Sequence, residues 1–432
     1  MSEPLIVVSD GRLMGEVTQK GGRNFVLRYE EGWATSDGFP LSLSLPLGRR
    51  AHDGPEVEAF LWGLLPDNDA VLESWGRTFH VSPRNPFALL KNVGEDCAGA
   101  VQFVRPERLN EVVGAGPGSV EWLDTSAIAA RLRLLRRDPA STRRGADRGQ
   151  FSLAGAQTKT ALLRWKGRWG VPAGRTPTTH ILKPTNDTIE GHLENEHFCL
   201  ELAQRLGLRA ARSKIELFED QCALIIERYD RRVESEEGDL PEVRRVHQED
   251  LCQAVGLPPH RKYQSDGGPT PDQLAQLIRR NSNRGSEDLG RFLDALAFNW
   301  LIAGTDAHAK NYSILHAPGR RLRLAPLYDL ASFLPYDEDP QRTRLAMKIG
   351  GEYRLRDIGK PQWEKLADSF GLDTAKVLRR VDELAALLVP EAEHVRDTFP
   401  LRDPDHEGAR RFIARLFSQL VARVAECRRR LG

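Results

Sequence analysis

Between residues 151 and 232 the hydrophobic period changes in a fixed order, and that order restricts the architecture more than any other feature of the chain. "FSLAGAQTKTALLRW" reads as a strand, a loop around Gly155 and a second strand; "KGRWG" turns the chain, and "TTHILKP" is a short strand that Pro184 stops. In "HLENEHFCLELAQRLGL" the spacing becomes helical: Leu193, Cys199, Leu200, Ala203 and Leu206 share a face, with Glu196 among them and Glu194 and Glu201 mostly off it. "SKIELFEDQCALIIERYDRR" then gives two strands about the tight turn Glu219-Asp220. A carboxylate inside an apolar stripe is costly unless it meets a cation, and Lys183 is the nearest candidate in the chain. The alternative places Glu196 at the rim of the stripe, solvated. Strand, loop, strand, strand with lysine, helix with glutamate and hairpin together have the layout of a kinase N-lobe.

A second feature lies downstream. "GTDAHAKNYS" (304–313) crowds polar groups directly after the apolar run "ALAFNWLIA". Asp306 and Asn311 are five apart, the spacing of a kinase catalytic loop in which aspartate accepts the proton and asparagine holds magnesium. Gly304-Thr305 stands where protein kinases of the eukaryotic type carry His-Arg, and the D-x-H-x-x-N form is similar to that of small-molecule and atypical kinases. Further on, "LAPLYDLASF" places Asp329, flanked by Tyr328 and Leu330, in a strand-like segment where a second metal-binding carboxylate belongs. His308 reads as a loop histidine bonded to a backbone carbonyl, and Lys310 either serves the transferring phosphate or faces solvent. Asp306 and Asn311 would also suit helix N-caps, but capping leaves the ordered arrival of Lys183, Glu196 and Asp329 without a reason.

A chain of 432 residues exceeds the size at which one core stops growing, so at least two domains are expected. Its formal net charge of +1 imposes no global attraction to nucleic acid or membrane. The N-terminus lacks a signal-like pattern and no run approaches the ~18 apolar residues of a membrane span, so a cytoplasmic protein is expected. Five scattered cysteines without a C-x-x-C pair read as small buried hydrophobes. Residues 1–110 look like a small mixed accessory unit, in which "EAFLWGLLPDNDAVLESWG" has helical spacing broken at Pro66. Residues 111–150 read as a linker helix and an Arg-rich loop, with seven arginines from Arg131 to Arg148. The kinase-like part then runs from 151 to 432, with an N-lobe to about 227. The expected fold class is α+β: a two-lobed kinase-like domain with a mostly helical C-lobe and a small mixed α/β N-terminal domain.

The chain resembles the HipA family of bacterial serine/threonine-kinase toxins in "FLWGLLPDN", "GEDCAGAVQF", "SLAGAQTKTALL", "HILKP", "ENEH", "LIIERYDR", "LCQAVGLPPHRKYQSDGGP", "GTDAHAKNYS" and "PLYDLASF", spread over about residues 1–400. The resemblance implies ATP and Mg2+ as cofactors. It assigns the ATP phosphates to Ala154, Gly155, Ala156, Gln157, Thr158 and Lys159 together with Lys183. It gives Glu227, Arg228 and Tyr229 to the adenine hinge, and adds His308, Lys310 and Tyr328 to the nucleotide site. Asp306 becomes the base, Asn311 and Asp329 the metal ligands, Glu196 a structural ion-pair partner, and Ser152 a self-inactivating autophosphorylation site. The implied partners are a HipB-like antitoxin, operator DNA mainly through that antitoxin, and a protein substrate, glutamyl-tRNA synthetase foremost. Two other classes compete: a catalytically silent nucleotide-binding co-repressor, and a small-molecule phosphotransferase.

Overall fold

The computed structural model describes residues 3–113, 118–141, 151–235, 237–317, 319–401 and 406–432. The fold is α+β and divides into two compact units: Met1–Pro184, Phe218–Pro259 and Ile314–Leu322 form the first, and Thr185–Leu217, His260–Ser313 and Arg323–Gly432 the second. Among the described residues no helix is long and apolar enough to cross a membrane. All five cysteines are free and buried, as their scatter suggested.

The first unit begins with strands β1 (Leu5–Ser9), β2 (Arg12–Gln19), β3 (Phe25–Tyr29), β4 (Ala51–His52) and β5 (Val101–Val104), which form one sheet in the order β4-β3-β2-β1-β5. Alternation along β1 sends Leu5 and Val7 into a core shared with Phe60, Leu61, Leu64 and Leu65, and an irregularity in the β1–β2 register lets Met14 as well as Val17 enter it. The helix Pro55–Gly63 starts with proline in its first turn and stops before Pro66; Asn68 then caps Asp69–Phe79 by accepting from Val71 N at 3.2 Å.

A second sheet runs β10 (Ser213–Phe218), β11 (Gln221–Glu227), β9 (His180–Pro184), β7 (Thr160–Trp165), β8 (Arg168–Ala173), β6 (Ser119–Leu123), with β10 marking where the chain passes between units. The hairpin turn falls at Glu219-Asp220, with Glu219 at φ 55°. One expectation changes here. Phe151 starts no strand and makes only an isolated bridge to Asp96. The expected linker helix is present as Thr125–Arg137, burying Ile128, Ala129 and Leu132 against Leu162, Trp169, Leu182 and Ile225, and β6 ahead of it pairs with β8. Of the arginine cluster, Arg131 is buried, Arg133 pairs with Glu219 and Asp220, and Arg136 bonds Gln221 Oε1 at 3.0 Å. Arg143, Arg144 and Arg148 lie outside the described residues. The face that packs is the apolar stripe of this amphipathic run, Ile128, Ala129, Leu132 and Leu135.

This unit also holds a buried ion network. Asp96 receives Arg231 Nη2 at 2.8 Å on one oxygen and Thr178 N and Oγ1 at 2.9 and 2.6 Å on the other. Asp230 receives Arg228 Nη2 and Arg231 Nη1, both at 2.9 Å, and Gly99 N at 2.7 Å. Arg228 and Arg231 also donate to the Cys97 and Gly99 carbonyls. Burial alone would raise the Asp96 carboxyl, but Arg231, Arg228 and Arg245 hold it well below the usual carboxylate range.

The second unit is mostly helical: His192–Arg205, Pro271–Asn281, Gly285–Leu301, Lys360–Phe370, Thr374–Asp397 and His406–Leu431. Trp300 meets Trp363 edge-on at 5.5 Å, and Phe292 stacks on Phe370 at 6.1 Å. Left-handed Gly191 precedes the first of these helices, where a Cβ would fall 2.4 Å from the Phe412 ring.

Two outcomes follow for stability. Arg231→Met leaves two buried aspartates short of their shared partner and should cost about 3–5 kcal/mol in urea unfolding, whereas exposed Arg244→Met should change it by less than ~1 kcal/mol. Burial lowers His197 to about 4 and, with His316 as the lesser cause, His247 to about 3. Both stay neutral in the folded chain while the unfolded chain gains protons below about pH 6.5. The urea midpoint should therefore fall as pH drops from about 6.5 towards 4, and His197→Gln should flatten that slope.

Candidate active site

In the second unit the helix Gly285–Leu301 is buried over its last turns and ends in a left-handed residue, Ala303, at φ 53°. Gly304 follows because nothing larger fits: its N–H donates to Asn299 O at 2.7 Å, and a Cβ would lie 2.2 Å from Asn299 Oδ1. Asn299 is itself held by Ala295 O at 2.9 Å and Tyr312 Oη at 3.4 Å. The chain then closes on itself around Asp306, whose carbonyl accepts from His308 N at 2.7 Å and from Asn311 Nδ2 at 2.9 Å. Asp306 and Asn311 are thus one closed loop and not helix caps: Asn311 ends the short 3₁₀ turn Ala309–Asn311, and His308 occupies its N-cap position. The Asp306 side chain is exposed and accepts from the Tyr263 hydroxyl at 2.5 Å.

The segment holding Asp329 is laced to this loop. Tyr328 Oη donates to Lys310 O and meets Ser313 Oγ, each at 2.6 Å; Ser332 Oγ donates to Ile302 O at 2.6 Å, and Phe333 N to Ala303 O at 3.0 Å. Asn195, on the helix His192–Arg205, clamps Ser332 through its backbone N–H and carbonyl at 2.9 and 2.7 Å. Asp329 sits in a bend at φ 56°, a left-handed position that aspartate tolerates, and not in the expected strand-like segment; the ladder stops at Leu327, which bridges Ala210. His308 is where the groups converge. Burial pushes its imidazole down; Asp306 and Asp329 oppose that, and Lys262 and Lys310 add to it. Its Nδ1 is buried without a hydrogen-bond partner, so that atom makes no bond to a backbone carbonyl. Lys310 is buried too, which removes the solvent-facing alternative.

On the same helix as Asn195, Glu196 is 2% exposed, so the solvated-rim alternative falls. Glu194, expected off the apolar face, is buried as well, because nearly every side of this helix is covered.

In the first unit, Lys183 is buried on β9 opposite Leu224 of β11. Ser152 is fully buried, donating its hydroxyl to Leu64 O at 2.8 Å and its N–H to Asp96 O at 3.2 Å. The loop after it is pinned where Gly155, at φ 101°, accepts from Asp67 N at 3.2 Å, and Lys159 Nζ folds back onto Ala154 O at 2.8 Å. Ala156 and Gln157 are exposed, and Thr158 is half-buried. At the end of β11, Glu227 is exposed and the Tyr229 hydroxyl bonds Gln248. Arg228 departs from its expected place at a nucleotide. Its guanidinium is committed to Asp230, Thr178 and Cys97, its N–H to Thr179 O and its carbonyl to Arg231 N.

Comparison with known proteins agrees with this arrangement. The HipA N-terminal domain model matches residues 5–104, and the HipA-like C-terminal domain model matches 151–391. This chain belongs to the HipA family of protein kinases. Y4mE of Sinorhizobium fredii, which carries a kinase name, is 37% identical over 380 residues, 87% of either chain. The serine/threonine-protein kinase toxin HipA of Shewanella oneidensis is 31% identical over 438 residues, covering 94% of this chain and 91% of its own. The solved Shewanella oneidensis complex of HipA, HipB and operator DNA superposes with a TM-score of 0.82 at 27% identity, over 97% of this chain and 96% of that one.

Tyr263, Asn299, Asn195 and Ser332 were not singled out from the sequence. Tyr263, Asn195 and Ser332 lay inside HipA-like stretches and Asn299 did not, and nothing in a lone neutral polar residue marks it as a brace. The Asn299 brace is testable. Gly304→Ala should lower the urea midpoint by an amount worth about 1–3 kcal/mol, and adding Asn299→Ala should cost less than the two single losses summed, since the clash goes with the amide.

Proposed function

We propose that this HipA-family chain is an ATP-dependent serine/threonine-protein kinase that acts as the toxin of a toxin–antitoxin pair. The observation carrying the chemistry is the closed Asp306–Asn311 loop, with Asp306 and Asp329 both within electrostatic reach of His308. Asp306 accepts the proton of the substrate hydroxyl as its oxygen bonds to the γ-phosphorus and the bond to ADP breaks. In this reading Lys183 and the loop Ala154–Lys159 answer the phosphates, Lys310 and His308 take part in the same reaction, and the backbone near Glu227 and Tyr229 serves the adenine. The Arg228 side chain takes no part.

The donor set suits magnesium. Among the described residues no group of three or more histidine, cysteine, aspartate or glutamate side chains is gathered as for zinc or iron. Asn311 directs its Nδ2 to Asp306 O, which leaves Oδ1 as a hard oxygen that, with the Asp329 carboxylate, would hold the ion. When bound, the ion neutralises phosphate charge.

Ser152 fits the reading of a self-silencing site: with its hydroxyl buried on Leu64 O, it becomes an acceptor only when its segment leaves that seat. The domain reading is an accessory part over 1–110 and a kinase-like part over 151–432, in keeping with the matched ranges 5–104 and 151–391. The solved relative, a complex with HipB and operator DNA, supports a HipB-like antitoxin as partner, with DNA engaged mainly through it. Family resemblance makes an aminoacyl-tRNA synthetase, glutamyl first, the acceptor to test. A protein substrate, and not a small molecule, is favoured by the N-terminal match to HipA.

Asp306→Asn should lower transfer of label from radioactive ATP to protein by roughly 10²- to 10⁴-fold, with phosphopeptide mass spectrometry reading Ser152 and the acceptor together. Equal labelling by both chains would remove Asp306 as the base and favour a silent nucleotide-binding module.

A further inference from the structure

The two hydrogen bonds that close the catalytic loop hold the main-chain carbonyl of Asp306 and leave its carboxylate free to rotate. An exposed aspartate side chain samples several rotamers, and only some of them aim a proton acceptor. The hydrogen bond that fixes the carboxylate comes from Tyr263, whose hydroxyl donates to Oδ1 at 2.5 Å.

Tyr263 is itself built in. Its ring meets His308 edge-on at 5.0 Å, so the brace and the loop share a contact besides the hydrogen bond. Its carbonyl accepts from Asp266 N at 3.0 Å and from Gly268 N at 2.9 Å, closing a turn in which a Cβ on Gly268 would lie 2.6 Å from that same carbonyl. On one side Lys262 O accepts from Ala309 N of the catalytic loop at 3.3 Å; on the other, Gln264 Oε1 accepts from Lys348 N at 2.8 Å. The hydroxyl is therefore presented by a segment that is held on both sides.

We propose that Tyr263 is a positioning residue for phosphoryl transfer, fixing one carboxylate oxygen of Asp306 so that the other takes the acceptor's proton. The inference rests on the reading of Asp306 as the base. An ionised carboxylate has two oxygens, each with two acceptor sites, so one phenol on Oδ1 leaves Oδ2 available. The step balances: the acceptor oxygen bonds to the γ-phosphorus, its proton goes to Oδ2, and the bond to the ADP oxygen breaks. Tyr263 Oη keeps its proton throughout. The opposite role is a blocking one, in which the phenol stands where the acceptor hydroxyl must come and has to be displaced.

Tyr263→Phe separates the two, because it keeps the ring against His308 and removes only the donor. With the inactive Asp306→Asn chain as protein acceptor, label transfer and ADP release give kcat and KM. A positioning role lowers kcat roughly 10- to 100-fold and leaves KM for ATP and the melting midpoint unchanged. Incorporating 3-fluorotyrosine at 263, which restores the donor, retains the wild-type rate. A general loss of fold lowers the melting midpoint and weakens ATP binding along with the rate, and the fluorotyrosine chain then decides by whether it recovers activity. An unchanged kcat, or a maintained kcat with a lower KM for the acceptor, overturns the inference. If Asp306→Asn alone is inactive in that case, the proposed function stands; if Asp306→Asn matches wild type, the proposed function itself has failed.

Discussion

Asp96 is the node on which the first unit depends. Its side chain joins Arg231 to Thr178, and its main chain receives Ser152 N and bridges Phe151. Four separate stretches therefore meet at one buried aspartate: the approach to β5, the entry to the 152–159 loop, the lead-in to β9, which carries Lys183, and the exit from β11. A buried carboxylate tolerates no slack, since an unmatched charge there costs several times what a matched pair contributes. The N-terminal part is thus no detachable appendage. Its residues 96–99 supply the charge and carbonyls that Arg228 and Arg231 require.

The second unit is held together differently around its reactive residues. The braces there are neutral: Asn299 under Gly304, Asn311 on the Asp306 carbonyl, Asn195 on Ser332, and Tyr328 on Lys310. Neutral amides and hydroxyls can be buried with modest loss when every donor and acceptor is matched, and they add no charge beside groups proposed to answer a nucleotide. Asp306, Asp329, Lys310 and Lys262 all act electrostatically on one buried imidazole, His308. In the proposed reaction, salt bridges used as braces here would compete with phosphate and metal for the same groups.

What could be read in the sequence follows from that contrast. Periodic features were legible: the Glu219-Asp220 hairpin, the strand ending at Pro184, the helix with Glu196 and the buried run before Gly304 all reflect backbone pattern. Features set by contact were not. The helix Thr125–Arg137 was expected, but the seat of its Ile128, Ala129 and Leu132 against Leu162, Trp169 and Leu182 was not. Phe151 makes a bridge and no strand, because Asp96 offers it one partner and no continuing ladder. Arg228 sits in a stretch that resembles a hinge, yet its side chain answers a charge 132 positions earlier in the chain. Spacing placed Asp306 and Asn311 together, while Tyr263, 43 residues before Asp306, had no spacing to betray it.

The seat of Ser152 carries the remaining step. Its segment is held by the hydroxyl bond to Leu64 O, the Ser152 N–H bond to Asp96 O and the Gly155 carbonyl bond to Asp67 N, each worth about 1 kcal/mol net. Burial of Phe151 and Leu153 adds about 1.5–3 kcal/mol apiece. The total is of the order of the ~5.5 kcal/mol that separates a state populated at one part in a hundred from one at ninety-nine. A segment held that firmly stays seated in the unmodified chain, yet remains within the range a single modification can reverse. Phosphate on Ser152 would put close to two negative charges into a site with no exposed surface and a carbonyl for a neighbour, so the modified residue has no stable place there. Displacing it would also carry Ala154–Lys159 away from the phosphates they are proposed to meet, which gives the proposed self-silencing its physical basis in the burial of one hydroxyl.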